Sequence, residues 1–356
     1  MKLALIGLGE VAQLIHLPVL ARMGGLFELH AAYDPSPSVL ATVSARWGIG
    51  QTYDSVDALI ADPAVEAVMV LSPDQYHGRH ARAALAAGKH VFVEKPSCLV
   101  RSDLDQLSDV AAKSDKVAMI GYMRRYAPAF TAAKAAMPPL EDITYVRVRD
   151  VICEGPWFFN QLDTVVTPAN DIPAELLSES RALREEMLAT VCGPDAPAEL
   201  RTAYTVLTGL SSHSLSAMRD ILGESPKRVI AAEIKQGGSQ ITVLLDYGHF
   251  TALYECMIGD VVRFEAGMEI NTRWKRIAFE YPTPYIRNLP MRLEVQDSTP
   301  TGNQVTTFGP YHQDPFDVEL RQFHAACVDG AANRTPPEES AADLDLFAAI
   351  IAAARG

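Results

Sequence analysis

Over the first 121 residues, apolar positions come in short continuous runs separated by longer stretches of helical spacing. Lys2-Leu3-Ala4-Leu5-Ile6 is the first such run and passes straight into Gly7. Val11, Leu14, Ile15, Leu17, Val19, Leu20 and Met23 then recur at the spacing of an amphipathic helix, which Pro18 is expected to kink or shorten. Leu29-His30-Ala31-Ala32-Tyr33 reads as a second strand ending at Asp34, and a Ser/Pro turn leads into a helix through Trp47. Residues 65–71 are continuously apolar, as befits a strand buried on both faces of a parallel sheet, and end at Ser72-Pro73-Asp74. A helix over 76–87 capped by Gly88, a strand at His90-Val91-Phe92-Val93 ending in Glu94-Lys95-Pro96, a helix over 99–113 and a strand over 117–120 complete the alternation. Strand and helix in turn predict a parallel sheet with helices on its faces.

From Tyr122 the pattern changes. A helix over 126–137 is stopped by Pro138-Pro139. Long strand-like runs follow at 143–152, 228–235, 240–246, 250–257, 262–270 and 274–279. Several alternate apolar and polar residues, and short turns such as Gln236-Gly237-Gly238-Ser239 join them, which indicates an antiparallel sheet with one covered face. Helices are expected over 316–328 and 340–354. Residues 157–205 form a polar, Pro-punctuated insertion with one helical piece near 183–188. Loops of that length are functional or mobile, so it reads as a lid or as an arm to a second subunit.

Between the first two strands lies Gly7-Leu8-Gly9-Glu10-Val11-Ala12, a G-x-G-x-x-A turn that follows a strand, opens a helix and leads to an acid at the next strand's end. Each position has a physical task. Gly7 permits the tight turn, Gly9 lets a pyrophosphate approach the backbone, and Ala12 lets the helix pack on the strand. The helix N-terminus at Glu10 and Val11 offers free N–H groups to a phosphate. Asp34 can accept from both ribose hydroxyls, would repel a 2′-phosphate, and is followed by Pro35-Ser36-Pro37-Ser38 without an Arg. The expected cofactor is therefore NAD, with NADP disfavoured.

Composition narrows the partners. The chain has 356 residues, which favours two domains, with 48% apolar and 21% charged residues, a globular composition. A net charge of −13 argues against nucleic acid and anionic membrane surfaces as partners. No apolar run reaches bilayer length, and no signal-peptide pattern precedes the first strand, so a cytoplasmic protein is expected. Cys98, Cys153, Cys192, Cys256 and Cys327 are scattered without metal spacing, as reduced thiols would be, and no catalytic metal is expected.

The motifs together resemble the Gfo/Idh/MocA oxidoreductases, which include glucose–fructose oxidoreductase and inositol dehydrogenases. The resemblance rests on Gly7–Ala12, on Ser72-Pro73-Asp74-Gln75-Tyr76-His77, on Gly88-Lys89-His90-Val91-Phe92-Val93-Glu94-Lys95-Pro96, and on Gly121-Tyr122-Met123-Arg124-Arg125-Tyr126. It is strong over residues 1–126 and follows the general layout beyond. It implies an α/β chain: an N-terminal Rossmann domain at 1–122, and at 123–356 an α+β domain built on a large, mainly antiparallel open sheet used for substrate binding and oligomerisation. It implies a nicotinamide cofactor and a sugar, cyclitol or related polyol substrate. It implies that Ser72, Pro73, His77, Glu94 and Lys95 line the cofactor pocket, with Lys95 also on the reacting oxygen, and that His213 is the acid/base. Gly209 stands four residues before His213 where the family has an Asp, Ser216 replaces another three residues after it, and Asp74 replaces an Asn.

A secondary alcohol that gives up hydride must also lose its hydroxyl proton, and imidazole suits that task because its pKa lies near the operating pH. A lysine cation close by stabilises the alkoxide and favours neutral His. Arg124, Arg125 and Tyr126 either bind substrate hydroxyls or form ion pairs where the domains join. Trp157 either stacks on a sugar face or joins a core. His249, His312 and His324 read as structural. Two other readings compete with a dehydrogenase: a retained cofactor that shuttles hydride internally, and a dinucleotide-binding regulator without turnover. A sheet with one bare face leads to an expected homodimer or tetramer.

Overall fold

The computed structural model describes residues 1–162 and 166–355. The chain divides into two compact units, one comprising Met1–Gly121, Thr164–Val191 and Glu319–Ala341, the other Tyr122–Asp163, Cys192–Val318 and Ala342–Gly356. The insertion is thus shared: its helix as far as Val191 belongs to the first unit and the rest to the second.

The first unit is built on β1 (Lys2–Ile6), β2 (Glu28–Tyr33), β3 (Gln51–Thr52), β4 (Ala67–Val70), β5 (His90–Glu94) and β6 (Ala118–Gly121). Their order is β3-β2-β1-β4-β5-β6 and every pair is parallel. This is the doubly wound Rossmann order, which reverses between β1 and β4 and opens a crevice at their carboxyl ends. Leu3, Ala4, Leu5, Ile6 and Ala67 to Val70 have no exposed surface, because these central strands are covered on both faces. Truncating Leu5 to Ala would cost ~2–5 kcal/mol. Edge strand β6 is covered by residues 333–335, where Thr335 O accepts from Ile120 N–H at 2.8 Å and Asn333 Nδ2 donates to Ala118 O at 2.7 Å. That capping removes an open edge.

The helix after Gly9 is not cut short at Pro18. It runs to Leu20, widened into a π turn over Ala12–His16 in which Leu17 N–H bonds Ala12 O. A proline lacks an N–H and crowds the carbonyl four residues back, and the wider turn relieves both. A second π turn, Leu207–Ser211, precedes the His213 helix, Ser212–Leu222.

The second unit carries β7 (Ile143–Cys153), β8 (Arg228–Lys235), β9 (Gln240–Asp246), β10 (Thr251–Gly259), β11 (Phe264–Thr272), β12 (Lys275–Tyr281), β13 (Met291–Thr299) and β14 (Gly302–Tyr311). They form one sheet in the order β14-β13-β12-β11-β7-β10-β9-β8. All pairs are antiparallel except β7 with β10. One face is apolar and buried: Val146 and Val148, Ile241 and Val243, Ala252 and Tyr254, Ile277 and Phe279, Leu293 and Val295. The other is a charged ladder, with Arg276 bonded to both Glu269 and Glu294 at 2.8 Å and Arg147 to Glu255 at 2.5 Å. β13 and β14 extend the sheet beyond the six strands read from the sequence. The insertion also holds more helix than the 183–188 piece: Ala174–Cys192 and Ala198–Val206.

Candidate dinucleotide site and candidate active-site residues

The Gly7 turn is held by backbone geometry that admits no side chain. Its φ is +96°, and a Cβ there would lie 2.6 Å from Leu71 O. Gly9 differs, since a Cβ would meet nothing within 4 Å, so its surroundings are open as a phosphate cradle requires. Asp34 emerges from β2 with Oδ2 accepting from Leu8 N–H at 2.8 Å and Oδ1 from Ser36 N–H at 2.9 Å. Each carboxylate oxygen keeps a second lone pair for a ribose hydroxyl. Burial pushes the Asp34 carboxyl up from its ordinary value, the two backbone bonds oppose this, and the charge of Asp171 adds to it. Ala12 is fully buried under the helix, as the fingerprint requires, while Val11 is exposed. Burial likewise raises the Glu10 carboxyl. The donor set, the open Gly9 and the acid at the strand end fit a dinucleotide.

At the ends of β4 and β5 a second group converges. His77 is buried, with Nδ1 at 2.7 Å from Pro96 O and Nε2 at 2.6 Å from Ser72 O. Its ring therefore braces the turn after β4 against the Lys95-Pro96 peptide, which suits shaping the pocket more than proton transfer. Ser72 Oγ and His80 Nδ1 are 2.9 Å apart, and Tyr76 stacks on His80 at 5.6 Å. Burial lowers the His80 pKa to about 4. Pro73 is exposed at this turn. Glu94 Oε1 lies 2.7 Å from His16 Nε2, while Oε2 accepts from Lys95 N–H at 3.0 Å. Burial pushes the Glu94 carboxyl up, but the bond and charge of His16, with the charge of Lys95, outweigh it and hold the group below its ordinary value. Lys95 is half-buried and follows directly on this anchored carboxylate.

The sequence reading missed His16, Gln13 and His80. His16 pairs with a residue 78 positions away, which no local spacing announces. Gln13 Nε2 donates to Leu8 O at 2.8 Å and to Thr167 O at 3.1 Å, and its Oε1 accepts from Thr167 N–H at 2.7 Å.

In the second unit, Arg124 and Arg125 are both buried and both engaged in ion pairs. Arg124 Nη1 bonds Asp150 Oδ1 at 2.7 Å and also Ser214 Oγ, and its guanidinium sits 4.9 Å over the Tyr281 ring. Tyr254 O–H donates to the other Asp150 oxygen at 3.0 Å. Arg125 Nη2 bonds Asp220 Oδ1 at 3.1 Å. These are the ion pairs that the sequence left as one of two possibilities, and they turn the guanidinium groups to the fold. Tyr126 is buried too. Trp157 is 51% exposed in a short helix, Pro156–Phe159, while Phe158 stacks on Tyr285. His213 is half-buried on a helix whose Leu215, Met218, Ile221 and Leu222 face inward and whose end is capped by Gly223 at φ 74°. Gly209 lies within the preceding π turn, and a Cβ on it would meet nothing within 4 Å. Ser214 and Ser216, next to His213 on the same helix, are buried. Among the described residues no cluster of His, Cys, Asp or Glu can hold a metal ion, and no helix is long and apolar enough to cross a membrane.

Residues 1–122 match the model of the oxidoreductase family with an NAD-binding Rossmann fold, GFO_IDH_MocA. Over its Rossmann domain the chain is thus similar to the Gfo/Idh/MocA oxidoreductases. Myo-inositol 2-dehydrogenase of Thermotoga maritima is 32% identical over 137 residues, 38% of this chain and 40% of that protein. A 1-carboxy-3-chloro-3,4-dihydroxycyclohexa-1,5-diene dehydrogenase of Comamonas testosteroni is 31% identical over 149 residues, 42% of this chain and 36% of that one. The match thus spans about two fifths of these relatives' length. UDP-N-acetylglucosamine 3-dehydrogenase of Acidithiobacillus ferrooxidans superposes over 99% of this chain and 97% of its own with a TM-score of 0.73 at 18% identity. At that identity the likeness is one of fold. The matched NAD-binding Rossmann fold supports a nicotinamide dinucleotide as the cofactor.

Proposed function

We propose that this protein is an NAD-dependent oxidoreductase of the Gfo/Idh/MocA kind that moves hydride between nicotinamide and a hydroxyl-bearing carbon of a sugar, cyclitol or related polyol. The observation that carries the cofactor half is Asp34, which is fixed by the N–H groups of Leu8 and Ser36 beside an open Gly9. A carboxylate there accepts from ribose hydroxyls and repels a 2′-phosphate. The substrate half is supported by relatives that act on myo-inositol and on a dihydroxycyclohexadiene, both bearing hydroxyls on a ring.

When bound, nicotinamide accepts or supplies the hydride at its C4. Lys95 holds the reacting oxygen and stabilises negative charge on it, which is worth most while that charge develops. Glu94 and His16 anchor the peptide N–H of Lys95, and His77 braces the next residue. His213 takes the hydroxyl proton in oxidation and returns it in reduction. Gly209 stands one turn before His213, where the family has an Asp. Turnover of a polyol panel with NAD or NADP tests the reading, with loss of turnover in Lys95→Ala as its residue-level check.

A second reading, a cofactor that stays bound and shuttles hydride internally, is favoured by one observation: the pairing of Thr167 with Gln13 on the fingerprint helix. Reduced-nicotinamide absorbance that persists in the purified protein would support it. The charged face of the large sheet is suited to a self-complementary contact, and a homodimer or a tetramer of dimers is part of the proposal.

A further inference from the structure

Within the first unit, the insertion is pinned at two places. Thr167 exchanges two hydrogen bonds with the Gln13 amide, beside the Gly7–Ala12 turn. Four residues on, Asp171 reaches the loop that follows Asp34. Its Oδ2 accepts from Ser38 N–H at 2.9 Å, and its Oδ1 accepts from Ser38 Oγ at 2.9 Å and from Ser36 Oγ.

The place that Asp171 occupies is the N-terminus of the 11-residue helix Pro37–Trp47, with Ser36 as its N-cap. A helix start with a free N–H and two serine hydroxyls, just past the ribose-binding acid, is what an anion such as a 2′-phosphate would use. In this chain a carboxylate of the protein itself already takes those donors. The donors hold the Asp171 carboxyl below its ordinary value, first through the Ser36 hydroxyl, so it is ionised. Its charge reaches Asp34, whose carboxyl it helps to raise.

We propose that Asp171, supplied by the insertion, is a second specificity residue for the dinucleotide: an internal anion that fills the 2′-phosphate position and rejects NADP, while leaving the 2′-hydroxyl of NAD to Asp34. This deepens the proposed function and rests on its NAD-binding reading. Two consequences separate it from a merely structural contact. Removing the Asp171 charge frees the Ser36 and Ser38 donors for a phosphate, so affinity for the phosphorylated dinucleotide rises. Affinity for the unphosphorylated one is kept, because Asp34 and the glycine turn are untouched.

The test is titration of the full chain with NADH and with NADPH, followed by nicotinamide fluorescence, for the wild type, Asp171→Asn and Asp171→Ala. Asn keeps an acceptor for Ser38 N–H and most of the shape, so it isolates the charge. The expected result is a ratio of NADPH to NADH dissociation constants that falls on the order of tenfold in both variants, with NADH affinity within a factor of about three of wild type. A ratio unchanged in both variants overturns the proposal, as does equal loss of affinity for both dinucleotides, which would mark Asp171 as a loop brace. A wild type that binds neither dinucleotide, or prefers NADPH, overturns the reading beneath it, so the two failures are told apart.

Discussion

At the scale of single residues the account turns on Lys95 and His213. If Lys95 contacts the reacting oxygen mainly in the transition state, Lys95→Ala should lower kcat and kcat/KM together, by ~10²–10³, while dissociation of NAD measured by calorimetry changes little. Wild-type turnover in that variant removes Lys95 from the chemistry. His213 must be neutral to accept a proton, so oxidation should fall as pH drops through its pKa, and His213→Asn should lose most turnover together with that limb. Gly209 offers a sharper experiment. A Cβ there has open space, so Gly209→Asp can place a carboxylate one turn before His213. An adjacent anion favours the charged imidazole, and the acidic limb should move up by about one pH unit. A limb that stays put would show that His213 does not set it. His80 makes a different pH statement. Burial lowers its folded pKa to about 4 against an ordinary 6.5, so between those values the unfolded chain binds a proton that the folded one refuses. Stability should therefore fall as pH drops from about 6.5 towards 4, by on the order of 2 kcal/mol after discounting for partial exposure. In His80→Gln, chemical denaturation should show a flatter profile over that window. An equally steep profile would assign the loss to other groups.

At the scale of elements, Asp150 on β7 shows how a sheet face and a helix are joined inside the second unit. It is fully buried and holds Arg124, Ser214 and Tyr254 at once. Arg124→Ala would remove the cation from that buried carboxylate, which should cost ~3–5 kcal/mol in denaturant titrations. A loss below about 1 kcal/mol would mean that water or a shifted partner takes over. The same elements show what a sequence discloses. The strands at 228–235 and 240–246 were legible to the residue, because alternation and a Gly-Gly turn both bound them. β13 alternates just as well, with Leu293 and Val295 inward, but follows a loop with Pro282, Pro284 and Pro290 that interrupts the strand pattern. β14 is an edge strand, mostly exposed, so it carries no inner apolar row to read. The Ala174–Cys192 helix is made of strong helix formers but contacts its unit through few residues, such as Leu183, Met187 and Val191. Its helical period is therefore weak. The glycine turn and Asp34 were legible because each is demanded by local backbone geometry. His16, Gln13 and Asp171 were not, since their partners lie 78, 154 and 135 positions away.

At the scale of the whole molecule, the two kinds of sheet divide the labour that the proposed function needs. A parallel sheet gathers loop ends at one crevice, which suits a dinucleotide. A broad, mainly antiparallel sheet leaves one face for contacts with another chain. Here that face is laddered with Arg147, Arg149, Arg276 and their carboxylate partners. A dimer formed through it should weaken with salt, because exposed charges are screened. Light scattering at micromolar concentration should give at least a dimer mass in low salt, and a monomer mass there would count against assembly. The central claim is that this chain transfers hydride between NAD and a polyol. It is tested most directly by the appearance of reduced nicotinamide when the purified protein meets NAD and a panel of sugars and cyclitols. The account predicts turnover of at least one ring-bearing secondary alcohol, faster with NAD than with NADP and abolished in Lys95→Ala. Cofactor binding with no turnover across the panel, and no reduced nicotinamide held by the protein itself, would contradict it.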